Sequence, residues 1–332
     1  MLNRRHFLQG AGLMAAASLV NWPAAQSEAA ALPKRKGQIP GFFRMPFGEF
    51  EITAVYDGAV RAPSGIMHGL IQPDVDALLE DSFYDPKSKM PIMINAFLIN
   101  TGRNLVLVDT GAGAYFGAMA GMLPESIKAA GYALKDIDTV LITHFHGDHV
   151  LGLTDAGGRA IFPKATVMTS APESAYWLND EMYAQAPEDK KPALTALRQA
   201  VAPYIVAKRL KTFALDQSPV PGIETVPLLG HTPGHCAFRV TSQGQGQGQS
   251  MVFWGDTVHC MAVQFPRPEV SVDFDTDQPK AVATRLALMA RLAQEETWVA
   301  GAHLPFPGIG RLRARPQGYA WMPVEFREQY GA

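Results

Sequence analysis

The amino-acid sequence predicts an α/β fold in which strands and helices alternate along one chain. Short β-rich runs are interleaved with segments of helical spacing, and no shift in composition marks a linker between them. Hydrophobic residues make up 47% of the 332 residues and charged residues 18%, a balance typical of a compact core rather than a disordered chain. We therefore expect one large α/β domain over residues 32–332.

The elements follow in order along this domain. Apolar and polar residues alternate from Phe50 to Val60, which predicts a strand. The β-rich runs 95–100 and 105–108 are separated by four polar or Gly residues, which predicts a hairpin. The remaining predicted elements are strands at 139–143, 165–169, 225–229, 237–241, 251–254 and 298–300, and helices at 123–130, 173–181, 192–201 and 279–293.

The helix predicted at 279–293 is the longest in the sequence. Asp277 precedes it at a position suited to an N-cap. Val282, Leu286 and Met289 recur at helical spacing, so we expect them to form its buried face.

Residues 1–31 predict an export signal. Arg4 and Arg5 precede apolar residues, and the weakly hydrophobic run from Ala11 to Val20 is too short to span a bilayer permanently. With the small residues 24–31 as cleavage sites, the segment resembles a twin-arginine signal. The resemblance implies a bacterial protein that the twin-arginine machinery exports, already folded, to the periplasm or beyond. A buried N-terminal helix is the alternative interpretation.

Charge and cysteine content exclude several classes of protein. Lys and Arg number 29 and Asp and Glu 31, so a formal charge of −2 leaves no field to hold nucleic acid or an anionic membrane. Two cysteines exclude a disulfide-built scaffold. We expect Cys236 and Cys260 to be buried free thiols, with a disulfide between them as the alternative. No run after the signal is long enough for a stable membrane span, and the Gln-Gly repeat at 242–250 predicts a flexible hairpin loop.

Seven of the nine histidines fall in four short windows: 143–149, 230–235, 255–259 and 301–303. The first window places His144, His146, Asp148 and His149 directly after a predicted strand. Imidazoles combined with a carboxylate suit Zn²⁺, with Fe²⁺, Mn²⁺ and Co²⁺ as alternatives. We expect two divalent ions, with Asp256 as the carboxylate that bridges them.

The four windows, in this order, resemble the metallo-β-lactamase superfamily. The matching residues are His-x-His-x-Asp-His from 144, Thr-Pro-Gly-His ending at 235, Gly-Asp at 255–256 and Gly-Ala-His at 301–303. The resemblance implies a four-layer αββα sandwich. It also implies the ligand sets His144, His146 and His235 for one ion and Asp148, His149 and His303 for the other, with Asp256 shared. Asp148 and Asp256 would orient a metal-bridging hydroxide, the expected nucleophile.

The likeness narrows to methyl parathion hydrolases and related lactonases and covers nearly all of the chain after the signal. It is carried by residues 37–44, 50–54, 105–111, 262–265, 302–310 and 318–324. It implies a substrate pocket lined by Phe116, Trp177, His259 and Phe274, although core packing is an alternative for the first two aromatics. Gly147 stands where the branch has Pro, and an aromatic is missing near 193–194, so substrate preference stays open.

Three further residues have two interpretations each. Asp109 follows a predicted strand and either orients a metal-bound imidazole from behind or only forms a turn. His231 precedes the Thr-Pro-Gly turn, and we expect it to be a hydrogen-bonded structural histidine rather than a ligand. His68 lacks ligand spacing and is expected in a loop.

The predicted activity is hydrolysis of lactones or aryl esters, with organophosphate triesters as weaker substrates. The alternatives are a dedicated organophosphate triesterase, another superfamily hydrolase such as a β-lactamase or thioesterase, and a metal-binding protein without turnover. The expected partners are a small-molecule ester, lactone or phosphotriester and the export machinery. Nucleic acid is not an expected partner, and a homodimer is left open.

Overall fold

The computed structural model describes residues 34, 37–243 and 249–326. The chain divides into two compact units, Met1–Gln38 and Ile39–Ala332, and all elements described below lie in the second. The predicted export signal lies outside the described residues, as does the part of the Gln-Gly loop at 244–248. Within the described ranges, no helix has the length and apolar character needed to cross a bilayer.

In the described residues, fifteen strands form the sheets. They are β1 (Phe42–Phe47), β2 (Phe50–Ala62), β3 (Met67–His68), β4 (Met90–Asn100), β5 (Leu105–Val108), β6 (Thr139–Leu141), β7 (Thr166–Ser170), β8 (Leu210–Phe213), β9 (Ile223–Pro227), β10 (Cys236–Ser242), β11 (Gln249–Phe253), β12 (Ser271–Val272), β13 (Trp298–Ala300), β14 (Ile309–Ala314) and β15 (Tyr319–Pro323).

Eight α-helices of very different lengths accompany the strands in the described part of the chain. They are α1 (Gln72–Asp81), α2 (Leu123–Ala129), α3 (Gly147–Val150), α4 (Ala171–Trp177), α5 (Asp180–Gln185), α6 (Lys191–Val206), α7 (Met261–Gln264) and α8 (Gln278–Glu295).

The strands form two large sheets and one small one. The first large sheet has the order β1-β2-β4-β5-β6-β7-β8, and the second has the order β15-β14-β13-β11-β10-β9. Apolar side chains of α2 and α6 pack on the outer face of the first sheet, and those of α8 pack on the outer face of the second. Helix, sheet, sheet and helix follow one another, which confirms the predicted αββα sandwich.

Strand β5 shows how the sequence builds both apolar layers. Leu105 and Leu107 join the cluster under α2 and α6, whereas Val106 and Val108 join the cluster between the two sheets. Successive side chains of a strand point to opposite faces, so a strand covered on both sides must be apolar throughout. Between the sheets, Phe97 of β4 meets Phe253 of β11 with ring centroids 5.4 Å apart.

Helix α8 begins as predicted but turns a different face to the core. Asp277 caps it by accepting a hydrogen bond from the Lys280 N–H at 3.1 Å. The expected apolar face is wrong because Leu286 is 39% exposed, and the buried positions include Arg285 instead. Arg285 makes buried hydrogen bonds to backbone carbonyls, so a residue that hydropathy counts as polar faces inward.

Two smaller predictions have clear outcomes. The helix expected at 173–181 is two helices, because Asn179 caps α5 by accepting a hydrogen bond from the Met182 N–H at 2.9 Å. Cys236 and Cys260 are both buried and free, as expected.

Candidate metal centre

The candidate site is formed by loops that leave the ends of strands in both sheets. The segment 144–149 follows β6 of the first sheet. In the second sheet, Asp256 follows β11 and His303 follows β13, and these two strands are hydrogen-bonded in parallel. His231 lies in the turn between β9 and β10. Because strand ends position these loops, residues far apart in sequence meet at one edge of the sandwich.

The first group of potential ligands contains three imidazoles and one carboxylate. His231 Nε2 lies 2.9 Å from His146 Nδ1 and 3.2 Å from His144 Nε2. Asp256 Oδ2 lies 3.2 Å from His231 Nε2 and 3.5 Å from His144 Nε2. Ligand atoms on a tetrahedral Zn²⁺, at bond lengths of about 2.0–2.1 Å, lie about 3.3 Å apart. The group therefore has the spacing of ligands around one ion.

The second group contains Asp148, His149 and His303. Asp256 faces it with its other oxygen, because Oδ1 lies 2.9 Å from His149 Nε2 and 3.0 Å from His303 Nε2. Asp148 is farther away, with oxygens 3.8 Å from His149 Nε2 and 3.6 Å from His303 Nε2. Asp256 thus presents one oxygen to each group, as a bridging carboxylate does.

The structure puts His231 in the place that the sequence analysis gave to His235. The Nδ1–H of His235 donates to the Leu228 carbonyl at 3.1 Å, and its Nε2 accepts from the Asp256 N–H at 3.2 Å. Both ring nitrogens are therefore used by backbone groups. Burial and the neighbouring His231 lower the pKa of His235 to about 3, so the ring is neutral. The structure therefore brings His231, rather than His235, next to His144 and His146.

The ring nitrogens that point away from the groups are also hydrogen-bonded. Three pairs are seen: His149 Nδ1 with Asp109 (2.9 Å), His303 Nδ1 with the Met93 carbonyl (2.6 Å) and His231 Nδ1 with Asp275 (2.8 Å). Because carboxylates and carbonyls only accept, these nitrogens carry protons, and in the neutral form of each ring the Nε2 lone pair is directed at the site. Asp109 also accepts from the Thr143 N–H at 2.8 Å, which ties it to the ligand loop.

Two buried polar atoms that have no hydrogen-bond partner show whether a cation fits between the ligand groups. His149 Nε2 and Asp256 Oδ1 are buried and have no hydrogen-bond partner, although they lie 2.9 Å apart. A lone pair facing a carboxylate oxygen at this distance is repulsive unless a proton or a metal ion lies between them. Imidazole and carboxylate donors bind Zn²⁺ and related divalent ions, so the residues present fit two metal ions.

The electrostatics around His149 and Asp256 favour positive charge. Burial lowers the pKa of His149, but the carboxylates of Asp256, Asp109 and Asp148 outweigh it and raise this pKa well above its ordinary value. Burial alone raises the pKa of Asp256, but the surrounding imidazoles hold it well below its usual range. A buried site that attracts protons so strongly also attracts divalent cations.

Three of the four predicted pocket residues lie beside the ligands. The Trp177 ring meets His146 edge-on, with centroids 5.6 Å apart. His259 stacks on His303 at 5.2 Å, and Phe274, 42% exposed, lies 5.8 Å from His259. They form an aromatic wall beside the ligand groups.

Phe116 and His259 differ from expectation in detail. Phe116 packs against Ile94, Ala112 and Ala120, so the structure shows it in core packing. His259 Nε2 lies 3.1 Å from Asp256 Oδ2, which makes it the donor to that carboxylate. Its Nδ1 is buried without a partner, and the remaining lone pair is an acceptor rather than the donor expected for a substrate oxygen.

Glu173, Asp275 and Arg285 also belong to the site's surroundings, and the sequence analysis missed them. Asp275 is buried, accepts from His231 and lies 3.7 Å from the Arg285 guanidinium. All three lie on or beside predicted helices, where charged residues are normally solvated. The only sign of them in the sequence was a charged residue at a position where the pattern places the core-facing side.

Comparison with known proteins agrees with this arrangement. The family model described as the metallo-beta-lactamase superfamily matches residues 90–295, which is more than half of the chain. This chain belongs to the metallo-β-lactamase superfamily. Every ligand candidate of this superfamily member lies in the matched stretch except His303, which follows it by one strand.

Two solved structures of the superfamily resemble this member over most of its length. Hydrolase AbOPH is 36% identical, with a TM-score of 0.82 over 88% of this chain and 100% of AbOPH. The dizinc quorum-quenching lactonase AidC, solved with the product N-hexanoyl-L-homoserine, is 25% identical, with a TM-score of 0.77 over 87% of this chain and 99% of AidC. The first is described as a hydrolase and the second as a dizinc lactonase.

Curated relatives match a shorter stretch. An N-acyl homoserine lactonase of a Bacillus species is 23% identical over 185 residues, covering 50% of this chain and 65% of the relative. The uncharacterized protein YobT of Bacillus subtilis is 26% identical over 151 residues, covering 46% of this chain and 58% of YobT. The match thus spans less than two thirds of the length of either relative.

Proposed function

We propose that this chain is a binuclear metal-dependent hydrolase that acts mainly on lactones or aryl esters, with organophosphate triesters as weaker substrates. The observation that carries the proposal is the pair of ligand groups that face opposite oxygens of Asp256 beside an aromatic wall. The likeness to the hydrolase AbOPH and to the dizinc lactonase AidC supports it.

The residues that would hold the ions follow from the two groups. His144, His146 and His231 would hold the first ion and Asp148, His149 and His303 the second, with Asp256 shared. Zinc is the first candidate, and iron, manganese or cobalt suit the same donors. When bound, such ions make water acidic enough to act as a nucleophile near neutral pH and polarise a carbonyl or phosphoryl oxygen.

The other roles in binding and proton transfer are assigned to individual side chains. Both oxygens of Asp256 face ligand nitrogens, so its task is to hold the two groups at a fixed separation. The Asp148 side chain is 18% exposed, and its oxygens are the more distant ones, so it is the carboxylate that can accept a proton from the attacking water. Trp177 and Phe274 supply apolar surface for the leaving group or the acyl part and exclude water.

A metal-defined activity panel tests this proposal. Purified protein is loaded with one metal at a time, its metal content is measured, and lactones, aryl esters, phosphotriesters and β-lactams are compared by kcat/KM. We expect two equivalents of metal per chain and the highest kcat/KM for a lactone or aryl ester. Asp256→Ala should disturb both ions together, because one of its oxygens faces each group.

Other results of the panel support the rival functions. A phosphotriester preferred over every ester indicates a dedicated triesterase, and a preferred β-lactam or thioester indicates another branch of the superfamily. Two bound ions without turnover indicate a metal-binding protein. One equivalent of metal, with full activity in Asp256→Ala, contradicts a binuclear site.

Export through the twin-arginine pathway is proposed from the sequence alone. Lysine lacks the planar guanidinium fork, so Arg4→Lys combined with Arg5→Lys should leave the protein in the cytoplasm. Fractionation and immunoblotting measure this. Arg61→Lys, the same chemical change in the folded unit, is the control and should be exported normally. Unchanged periplasmic protein in the double variant contradicts the proposed route.

A further inference from the structure

A buried carboxylate outside both ligand groups organises the loops that carry the first group. Glu173 lies on α4, and its side chain is completely buried. None of the ion pairs found among the described residues involves it. A buried charge without a cationic partner is expensive unless hydrogen bonds satisfy it.

Four hydrogen bonds satisfy Glu173. Its Oε1 accepts from the Phe145 N–H at 2.7 Å and from the Trp177 indole N–H at 2.6 Å. Its Oε2 accepts from the Thr232 hydroxyl at 2.7 Å and from the Gly234 N–H at 2.9 Å. A carboxylate offers about four lone-pair sites, and all of them are used.

Two hydrogen-bond partners of Glu173 are chain neighbours of proposed ligands. Phe145 separates His144 from His146, and Thr232 directly follows His231. One carboxylate therefore fixes the backbone of the first ligand loop relative to the turn that carries His231. In the described structure these two segments come from opposite sheets, so their separation is not set by one sheet's hydrogen bonds.

The turn approaches α4 too closely for any side chain at position 234. A Cβ added to Gly234 would lie 2.2 Å from the Glu173 nitrogen and 2.5 Å from Ser170 Oγ. Ser170 Oγ also donates to the Gly234 carbonyl at 2.6 Å, which fixes the turn from a second direction. The turn at Gly234 is thus packed closely against both Glu173 and Ser170.

The same carboxylate orients the pocket wall. Trp177 lies one helical turn after Glu173, and the hydrogen bond to Oε1 fixes the rotation of its indole. That rotation places the ring edge-on to His146, at an interplanar angle of 74°. Glu173 therefore connects the first ligand group with the surface that would contact a substrate.

We propose that Glu173 is a positioning residue that sets the geometry of the first metal group and the orientation of Trp177. A carboxylate is needed because two backbone N–H groups and an indole N–H can only donate. Glutamine has the same size, but its amide nitrogen would direct two hydrogens at such donors. Glu173→Gln should therefore disturb the first group selectively, because none of the hydrogen bonds to Glu173 comes from Asp148, His149 or His303.

The test measures the affinity of each metal equivalent by competition with a chromophoric chelator, using the full-length protein loaded with Co²⁺ or Zn²⁺. Loss of a partner behind a metal ligand commonly weakens metal binding by about 10–100-fold. We expect Glu173→Gln to weaken one equivalent by about that factor, to leave the other near its wild-type affinity and to change the visible absorption of one Co²⁺ ion.

Two further variants keep the test decisive. Thr232→Val removes one of the four donors at similar volume, and it should weaken the same equivalent by a smaller factor if Glu173→Gln does not fold. Ser126→Ala, on α2, removes a partly buried hydrogen bond to the Tyr56 carbonyl of β2, away from both ligand loops, and should leave both affinities unchanged.

The outcomes separate this inference from the proposed function on which it rests. Wild-type protein that binds no metal contradicts the proposed function itself. Wild-type protein that binds two ions, with Glu173→Gln and Thr232→Val either unchanged or equally weakened at both equivalents, overturns only the role of Glu173.

Discussion

His231 and His235 lie four residues apart in one turn, and their hydrogen-bond partners separate their roles. His231 donates from Nδ1 to Asp275 and directs Nε2 at the first group, whereas both nitrogens of His235 are bonded to backbone. We expect His231→Ala to lose the first ion. His235→Ala should keep both ions but unfold more easily by about 1–3 kcal/mol, because the buried Asp256 N–H loses its acceptor.

Metal analysis and urea unfolding of the two variants check this prediction. The two substitutions remove the same side chain from the same turn, so each serves as the control for the other. One ion retained in His235→Ala and two in His231→Ala would restore the assignment made from the sequence.

His259 is the residue at which we expect substrate preference to change most. Its ring is buried against Asp256, stacks on His303 and meets Phe274 at a tilt, so it forms part of the wall next to the carboxylate proposed to bridge the ions. Leucine would make that wall apolar and better suited to a dialkyl thiophosphoryl group. His259→Leu should raise the ratio of kcat/KM for a phosphotriester over a lactone by about tenfold, the effect of one pocket contact worth about 1–3 kcal/mol.

Both substrates must be measured on both proteins. His68→Leu is the matched control, because His68 pairs with Asp273 outside the ligand groups, and its ratio should not change. A wild type that already prefers the phosphotriester, or a ratio that does not move in His259→Leu, would contradict the assignment.

At the scale of elements, the sequence analysis was most reliable where the pattern reflects local chemistry. The hairpin of β4 and β5, the strand β13 and the Asp277 cap all match, because period-2 alternation and capping depend on neighbouring residues. Edge strands such as β1 and β15 were missed, because partial exposure on both faces weakens the alternation.

The site was predictable to the level of its motifs and no further. Spacing located every ligand window, because strand ends position the loops. Spacing did not distinguish His231 from His235, since both flank the same Thr-Pro-Gly turn. Glu173 and Arg285 were missed for a related reason: their partners are backbone groups distant in sequence, which no local pattern records.

The buried Arg285 gives a prediction for helix α8. Its guanidinium donates to the Thr257 and Val270 carbonyls, both at 2.6 Å, and to the Pro268 carbonyl at 3.0 Å. Lysine has fewer donors and no planar fork, so it leaves buried carbonyls unpaired. Arg285→Lys should lower the free energy of unfolding by about 3 kcal/mol, the usual cost of breaking a buried charged network.

Urea unfolding with an unchanged m-value measures this loss. Arg291→Lys is the control on the same helix, because Arg291 is partly exposed and lies 3.9 Å from Glu295. We expect its effect to stay below about 0.5 kcal/mol. An equal effect of the two substitutions would show that the buried network does not stabilise the helix.

At the scale of the whole molecule, the proposed ligands come from both large sheets. The first ligand loop follows β6 of one sheet, and Asp256 and His303 follow β11 and β13 of the other. The proposed ligands span residues 144–303, so metal binding by them would join segments that are distant in the chain. An unfolded chain does not keep these residues together, so the free energy of metal binding adds to the stability of the folded state.

Metal removal should therefore lower the melting temperature. With each free ion at about 100 times its Kd, binding adds about 2.7 kcal/mol per site. For two sites in a unit of this size, chelation should lower Tm by about 10 °C or more. Calorimetry with and without chelator measures the shift, and adding zinc back should reverse it. Asp256→Asn weakens both sites, so its Tm should respond much less to chelator. An equal response in wild type and Asp256→Asn would show that the ions do not stabilise the fold through these ligands.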